Sequence, residues 1–167
     1  MQDFVHLHVH TQYSLLDGQA SVSRLVDKAM KDGMKGIAVT DHGNMFGIKE
    51  FTNYVNKKNS GPKGEIKDLK KRIAGIESGE IECEDKEAEI ADCRAKMAEA
   101  ESKLFKPIVG CEMYVARRTM DKKEGKPDQS GYHLIVLAKN EKGYHNLIKL
   151  VSHAWTRGYY MRPRTDR

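Results

Sequence analysis

Strictly alternating hydrophobic and polar positions mark the start of the chain. From Phe4 to His10, valine or leucine occupies every second position, and histidine occupies positions 6, 8 and 10 between them. A period of two is typical of a β-strand. We therefore predict a first strand with one hydrophobic face and one imidazole face.

Helical spacing and short apolar runs then alternate. Ser21 can cap a helix that ends at Gly33, and a second helix is predicted from about Gly47 to Lys58. Between them, the run GIAVT at 36–40 is bounded by glycine and aspartate and predicts a buried strand. The order strand, helix, strand, helix indicates an α/β fold with parallel strands joined by crossover helices.

Residues 59–105 have a different character, since nearly half of them are charged. Hydrophobic residues recur there at spacings of three and four on two segments, with Ser78 and Gly79 marking a turn between them. This pattern is typical of a coiled-coil seam, so we predict a charged helical hairpin inserted into the α/β domain; a solvated, partly frayed insertion is the alternative. The seam residues are Ile66, Leu69, Ile73, Ile76, Ile90, Cys93, Met97, Ala100 and Leu104.

The α/β pattern resumes after the insertion. Residues 107–116 and 132–138 predict two more strands, and residues 141–155 predict a helix. The polar stretch 117–131 is expected to be a surface loop. The arginine-rich residues 158–167 have no apolar period, so we predict no element there and expect the chain to stop within a domain.

Composition and charge narrow the class of protein. With 167 residues, 39% of them hydrophobic and 32% charged, the chain suits one globular domain with an appendage. The net charge is +5, but residues 59–105 carry −3 and the rest of the chain +8. A positive body suits a polyanionic partner such as nucleic acid, although a merely soluble basic surface would look the same.

The sequence favours a cytoplasmic protein. No apolar run approaches the roughly 20 residues of a membrane span, and the first residues lack the features of a signal peptide. Cys83, Cys93 and Cys111 form neither a disulfide framework nor a paired zinc signature, which fits a reducing compartment.

Histidine and acidic residues recur at the ends of the predicted strands. Two histidines two positions apart on one strand have Cβ atoms roughly 6–7 Å apart and can reach the same divalent ion, although hydrogen-bonded structural histidines are the common alternative. The ends of parallel strands share one rim, where active sites collect. The candidate metal ligands on this rim are His8, His10, Asp17, His42, Glu112 and His133.

Glu112 and three further residues near this rim each have an expected environment or role. Glu112 interrupts an apolar strand and needs a nearby cation, either a metal ion or a lysine or arginine, because burying an unpaired acid costs several kcal/mol. His6 shares the imidazole face but lies deeper, so we expect it to support a ligand. Asp41 is a lesser candidate for a supporting or proton-transfer role in catalysis. Cys111 is expected to be an inert core residue.

This set of ligand types indicates phosphoester hydrolysis. Imidazole and carboxylate ligands without thiolates suit zinc, manganese or iron. Two or more such ions activate water and stabilise the charge that develops on phosphate oxygens. Neither GxxxxGK[ST] nor GxGxxG occurs, so the nucleotide-binding folds that carry those motifs have no support.

Four segments, HLHVHTQYSLLDG, VTDHGNMFG, PIVGCEMYV and YHLIVLAKNEKGYHNL, together carry a resemblance to a known family. They closely resemble the N-terminal polymerase and histidinol phosphatase (PHP) domain of bacterial replicative DNA polymerase III alpha subunits. The resemblance implies that residues 1–167 are the N-terminal part of a distorted TIM-like βα barrel, incomplete in this chain. It also implies metal binding by the six candidate ligands, with Glu112 as a bridging carboxylate and up to three ions in an intact site.

The resemblance also implies a function and partners. The complete protein would be a DNA-directed DNA polymerase, a nucleotidyltransferase that uses Mg²⁺ in regions that follow this one. The PHP domain would support 3′–5′ exonuclease activity, and the partners would be primer-template DNA, a proofreading exonuclease subunit and a sliding clamp, without a membrane. A structural or partner-binding module and a free-standing phosphatase of the histidinol phosphatase kind are the alternatives.

Two features depart from the family pattern, and the first of them lowers the expected metal occupancy. The family's later Cys or His ligand and its Asp-x-His pair have no counterpart before Arg167, so fewer ions are expected here. Many relatives also lack the helical insertion at 59–105.

Overall fold

The computed structural model describes residues 4–129 and 131–166, so Ser130 of the predicted surface loop and Arg167 lie outside the described residues. Two compact units are present, one formed by residues up to Asn53 and from Lys106 onward, the other by Tyr54–Phe105. The elements are α1 (Val22–Lys31), β1 (Gly36–Val39), α2 (Ile48–Lys58), α3 (Ser60–Ser78), α4 (Lys86–Ser102), β2 (Lys106–Ala116), a 3₁₀ turn (Lys126–Asp128), β3 (Gly131–Leu137), α5 (Glu141–Thr156) and β4 (Arg164–Thr165).

A mixed sheet organises the first unit, in the order β1-β2-β3, with β4 also paired to β2. β1 and β2 run parallel from Gly36↔Lys106 to Val39↔Val109, which confirms the α/β class. β3 runs antiparallel to β2, from Gly110↔Leu137 to Ala116↔Gly131. The expectation of parallel strands therefore does not extend to β3, because a connection without a helix suffices to join antiparallel strands.

Residues 4–10 lie beside β1 but do not form a regular strand, so the prediction of a first strand from Phe4 to His10 is wrong. Two backbone hydrogen bonds join this segment to β1 and the residue after it: the N–H of Ala38 donates to the carbonyl of His6, and the N–H of Thr40 to that of Val9, each at 2.9 Å. The donors are two residues apart but the acceptors are three apart. This mismatch prevents a regular β-ladder between the two segments. The Thr40 hydroxyl compensates by accepting from the N–H of Val9 at 2.9 Å.

Helix α5 covers one face of β2. A buried hydrophobic cluster joins Cys111 and Met113 of the strand to Leu147, Val151 and Ala154 of the helix. The helix starts where its sequence predicts, because the Asn140 side chain accepts from the N–H of Gly143 at 2.9 Å. The opposite face of β2 is thereby left to carry polar side chains.

In the second unit, helices α3 and α4 pack against each other. All nine seam residues of the sequence analysis are buried or half-buried, and Ile76, Cys93 and Ala100 are fully buried. Helix α3 ends at Gly79, whose φ of +82° lies in the left-handed region. The buried side chain of Asn59 fixes the exit of the unit by hydrogen bonds to the N–H and carbonyl of Phe105, at 3.0 and 2.8 Å.

The segment after α5 contains an element that the sequence analysis did not predict. β4 pairs in parallel with β2 at Tyr114 and Val115. Arg164 of β4 is fully buried, and it donates to the carbonyls of Gly158, Met120 and Lys122 at 3.1, 2.8 and 3.0 Å. The loop after β2 is thus tied to the sheet.

That loop also contains an ion pair between a buried aspartate and an exposed arginine. The Asp128 carboxylate is fully buried and accepts from the Arg118 guanidinium and from the N–H of Glu124. The hydrogen bond from Arg118 holds the pKa of Asp128 below its usual range.

Among the described residues, no helix has both the length and the apolar character needed to cross a membrane.

Candidate metal centre

Histidine and acidic side chains from four segments converge in the first unit: the stretch before α1, the loop after β1, β2 and β3. Among the described residues, their ligand atoms form three groups, in each of which the atoms lie within 4.8 Å of one another. The groups are His8, His10 and Glu112; His10, Asp17 and His42; and His42, Glu112 and His133. All six residues selected from the sequence are therefore close together, and their role as metal ligands stays a prediction.

Backbone hydrogen bonds set His42 beside Glu112. The N–H of Glu112 donates to the carbonyl of Asp41 at 3.0 Å, and the N–H of Gly43 donates to the carbonyl of Glu112 at 2.8 Å. Gly43 has a φ of +59°, and a Cβ atom there would lie 2.6 Å from Pro163. The turn that places His42 next to β2 therefore requires glycine.

The buried carboxylate of Glu112 lies at the centre of the cluster. Its Oε1 atom is hydrogen-bonded to Nδ1 of His133. Its Oε2 atom lies 3.4 Å from Nε2 of His8, 2.9 Å from Nε2 of His10 and 3.3 Å from Nδ1 of His42. Within the described residues, neither Oε2 nor His42 Nδ1 has a hydrogen-bond partner, although both are buried. Buried polar atoms rarely remain unpaired, so these converging atoms call for a ligand of their own.

The spacing of these atoms fits a metal ion. Around a tetrahedral ion with bonds of about 2.0–2.1 Å, neighbouring ligand atoms lie roughly 3.3–3.4 Å apart. The Nε2 atoms of His8 and His10 are 3.3 Å apart, close to this value, as are two of the three distances to Glu112. The side chains of His8 and His133 are 48% and 51% exposed. One side of the cluster therefore stays open to solvent and to a substrate.

A threonine sets the tautomer of His8. The Thr40 hydroxyl donates to the carbonyl of Val9 at 3.2 Å, so its oxygen accepts from Nδ1–H of His8 at 3.1 Å. The Nε2 atom of His8 then carries a lone pair and points toward Glu112. This is the protonation state that a metal ligand needs.

A serine and a buried aspartate set the tautomer of His10. The Ser14 hydroxyl donates to Oδ1 of Asp41 at 2.7 Å, so it accepts from Nδ1–H of His10 at 2.9 Å. The Asp41 carboxylate also accepts from the N–H and hydroxyl of Thr11, at 2.6 and 2.8 Å. Among the described residues, the Asp41 carboxylate contacts the imidazoles through the Ser14 hydroxyl, which favours positioning of His10 over proton transfer.

His6 lies apart from these groups. Its ring is in edge-to-face contact with Phe4, with centroids 4.7 Å apart, and it lines a cavity beside Leu25, Met34 and Ile37. No ligand group among the described residues includes it. In the part of the chain that the structure describes, no contact links His6 to a candidate ligand, so its supporting role stays a prediction.

Several pKa shifts favour ligand binding over thiol chemistry. Burial, and then the charge of nearby His42, lowers the pKa of His10 and keeps its imidazole neutral. The hydrogen bond from Nε2 of His42, 2.9 Å away, lowers the pKa of Asp17 and keeps its carboxylate ionised. Burial raises the pKa of the Cys111 thiol to about 12. Cys111 is therefore a protonated core residue and not a nucleophile.

Sequence reasoning missed Tyr114 as part of the site. Its ring stacks on His42, with centroids 6.0 Å apart, and meets the His133 ring edge-on at 4.9 Å. A signal was present, because Tyr114 follows Glu112 by two positions in a strand and so faces the same side of the sheet.

Replacing Ser14 by alanine is expected to weaken metal binding about 10- to 100-fold, because His10 loses the acceptor that fixes its tautomer and ring orientation. Calorimetric titration of the folded chain with Zn²⁺ measures the change. Ser23→Ala in α1 is the matched control and should bind as the unmodified chain does. Equal affinity in the Ser14 variant would show that the Ser14–Asp41 pair does not position His10.

A mixed α/β sheet with histidines and carboxylates gathered around a buried glutamate is the arrangement of an α/β domain that could hold metal ions. The family model of the PHP domain matches residues 6–167, and the chain belongs to that family. It is 39% identical to DNA polymerase III subunit alpha of Borreliella burgdorferi over 98% of its length, and 39% identical to that of Treponema pallidum, also over 98%. The protein of the same name from Aquifex aeolicus is 33% identical over 99%. The chain spans about a tenth of the length of these relatives.

Proposed function

We propose that this chain is a PHP domain of a bacterial DNA polymerase III alpha subunit, and that it binds divalent metal ions and supports 3′–5′ hydrolysis of DNA. One observation carries the proposal: the buried Oε2 atom of Glu112 lies within 3.4 Å of three imidazole nitrogens and is hydrogen-bonded to none of them. A cation is the ligand that such a carboxylate and such lone pairs share.

Each residue of the centre has a part in this proposal. His8, His10 and Glu112 would hold one ion, and His42, Asp17 and His133 would extend the site around the same carboxylate. Zinc, manganese or iron suits this donor set. Bound divalent ions lower the pKa of water and stabilise negative charge on phosphate oxygens. Thr40 and Ser14 keep the Nε2 atoms of His8 and His10 unprotonated, and Glu112 would supply negative charge to the cation that it shares with the imidazoles.

The resemblance and the relatives extend the proposal to the whole protein. The sheet of β1 to β4 would belong to a distorted TIM-like βα barrel. Polymerisation with Mg²⁺ would take place in other regions of the subunit, in the cytoplasm. Primer-template DNA, a proofreading exonuclease subunit and a sliding clamp would be the partners. The relatives' printed name, DNA polymerase III subunit alpha, supports these assignments.

The test compares the complete subunit with its His8→Ala, His10→Ala double variant, using metal analysis and hydrolysis of a 3′-labelled single-stranded oligonucleotide. The double variant should lose bound metal and at least ~100-fold in hydrolysis rate, since direct ligands matter more than the groups that orient them. The matched control is His145→Ala, His153→Ala on α5, whose imidazoles lie outside the three ligand groups. Equal rates in both double variants would contradict the proposal. Loss of stability without loss of rate would favour a structural module.

A further inference from the structure

A cleft of about 590 Å³ opens beside the metal centre. Asp17, His42 and His133 line one part of it, and three aromatic side chains line another. The aromatic residues, called the aromatic platform below, are Phe46, Trp155 and Tyr159. A cleft of this volume is in the range of small-ligand sites, and it adjoins the candidate ligands directly.

The aromatic platform is both exposed and held in place. The rings of Trp155 and Tyr159 are stacked, with centroids 5.6 Å apart and planes at 21°, and Phe46 lies 6.2 Å from Trp155. The Trp155 Nε1–H donates to the carbonyl of Gly43 at 2.8 Å, which fixes the indole. Even so, Phe46 is 64%, Trp155 42% and Tyr159 47% exposed. Rigid aromatic faces that remain open to solvent indicate a surface that binds a ligand.

An arginine adds a positive charge to the same cleft. Arg162 donates to the Tyr114 hydroxyl at 2.8 Å, and its guanidinium lies 5.0 Å from the centre of the Tyr114 ring. In the part of the chain that the structure describes, no carboxylate pairs with Arg162. The preceding Met161 has a φ of +61°, a conformation that a non-glycine residue adopts at a cost. The backbone is thus held in a costly turn that presents an unneutralised guanidinium next to the rings.

We infer that the cleft binds the unpaired nucleotides at the end of a single DNA strand. Bases stack on the aromatic platform, a backbone phosphate contacts Arg162, and the strand end reaches the side of the cleft formed by His42 and His133. Aromatic rings beside an unpaired cation are the features that recognise single-stranded nucleic acid, because every base has a π-face and every linkage a negative charge. The absence of acidic partners for Arg162 in the described residues favours this occupant over a basic or apolar protein segment. This inference rests on the proposed function and gives it a substrate-binding surface.

The binding test uses the intrinsic fluorescence of this chain, because Trp155 is its one tryptophan. The metal-free chain, kept in chelator, is titrated with the tetranucleotide (dT)₄. We expect saturable quenching of Trp155, and no quenching by an abasic tetramer of the same charge. Tyr159→Ala and Phe46→Ala should each raise the dissociation constant at least about fivefold, the low end for one stacked base. Arg162→Gln should weaken binding and flatten its salt dependence.

Tyr144→Ala is the matched control, since it removes a half-buried aromatic residue from the same helix, 11 residues and about 16 Å from Trp155 along the axis. It should leave the titration unchanged. Absence of quenching, equal quenching by the abasic tetramer, or equal weakening by Tyr144→Ala would overturn the inference. So would sedimentation of the chain as a dimer that Tyr159→Ala dissociates, because the platform would then be an interface between copies.

The two proposals fail separately. Quenching occurs without metal in this design, so a chain that binds (dT)₄ but neither binds metal nor hydrolyses DNA would refute the proposed function alone. A chain whose metal-dependent hydrolysis is intact, but whose Trp155 fluorescence ignores (dT)₄, would refute the nucleotide-binding cleft alone.

Discussion

Glu112→Gln is expected to abolish the stabilisation of this chain by divalent metal while leaving the metal-free chain nearly as stable as before. Glutamine keeps the shape of the side chain, and its carbonyl oxygen can still accept from Nδ1 of His133. Its amide group would face the lone pairs of His8, His10 and His42, where it can donate a hydrogen bond. The metal-free fold therefore loses little, but the buried carboxylate that faces all three imidazoles loses its charge.

The size of the effect follows from linkage between binding and folding. A ligand at 100 times its dissociation constant stabilises a native protein by about 2.7 kcal/mol. We expect the unmodified chain to gain about this much with Zn²⁺ or Mn²⁺, and the variant to gain almost nothing. Thermal unfolding with and without metal measures the difference. Glu141→Gln, which changes a side chain that is 90% exposed, is the control. An equal gain in both variants would show that Glu112 is not a ligand.

Local periodicity was enough to predict most of the secondary structure. Helix α1 starts after Ser21 because the serine oxygen accepts from the N–H of Arg24, and β1 lies in the predicted apolar run. The prediction of a first strand was wrong because alternation is a local signal, whereas a strand also needs hydrogen bonds in regular register with its neighbour β1. The mismatch there, with the Thr40 hydroxyl inserted in place of a backbone group, leaves no trace in the hydrophobic pattern.

The candidate ligands could be predicted because their residue types are distinctive. The reasoning from strand ends holds only for His42, which follows β1, since Glu112 lies inside β2 and His133 near the start of β3. The groups that orient the ligands could be predicted only in part. Asp41 was a candidate for a supporting role, but Ser14 and Thr40 are ordinary polar residues in sequence, and only the fold shows that they lie within 3.1 Å of imidazole nitrogens. Long-range contacts of this kind depend on tertiary structure and have no sequence period.

Arg164 illustrates the same limit more sharply. An arginine in the arginine-rich stretch near the end of the chain indicates a solvated segment, yet this side chain is among the largest that are fully buried. Its partners are backbone carbonyls, which every residue possesses, so its environment could not be predicted from neighbouring residue types. These carbonyls belong to Gly158 after α5 and to Met120 and Lys122 in the loop after β2. The guanidinium therefore fastens three stretches of chain around β4.

Arg164→Ala should destabilise the chain by about 3 kcal/mol, because three carbonyls lose a charged donor and a large buried side chain leaves a cavity. The loss of unfolding free energy should be smaller than the summed cost of the lost hydrogen bonds and the cavity. The reason is that Nη1 of Arg164 is itself buried without a partner among the described residues, and the substitution removes this cost. Arg157→Ala is the matched control: its side chain is 59% exposed and pairs with Asp121 at 3.5 Å, so its removal should cost less than about 1 kcal/mol. Urea unfolding of the two variants measures the difference.

If both variants lose the same small amount of unfolding free energy, the buried guanidinium does not hold β4 and the cleft segment before it in place. If only Arg164→Ala unfolds early and also weakens (dT)₄ binding, the buried arginine supports the turn that presents Arg162.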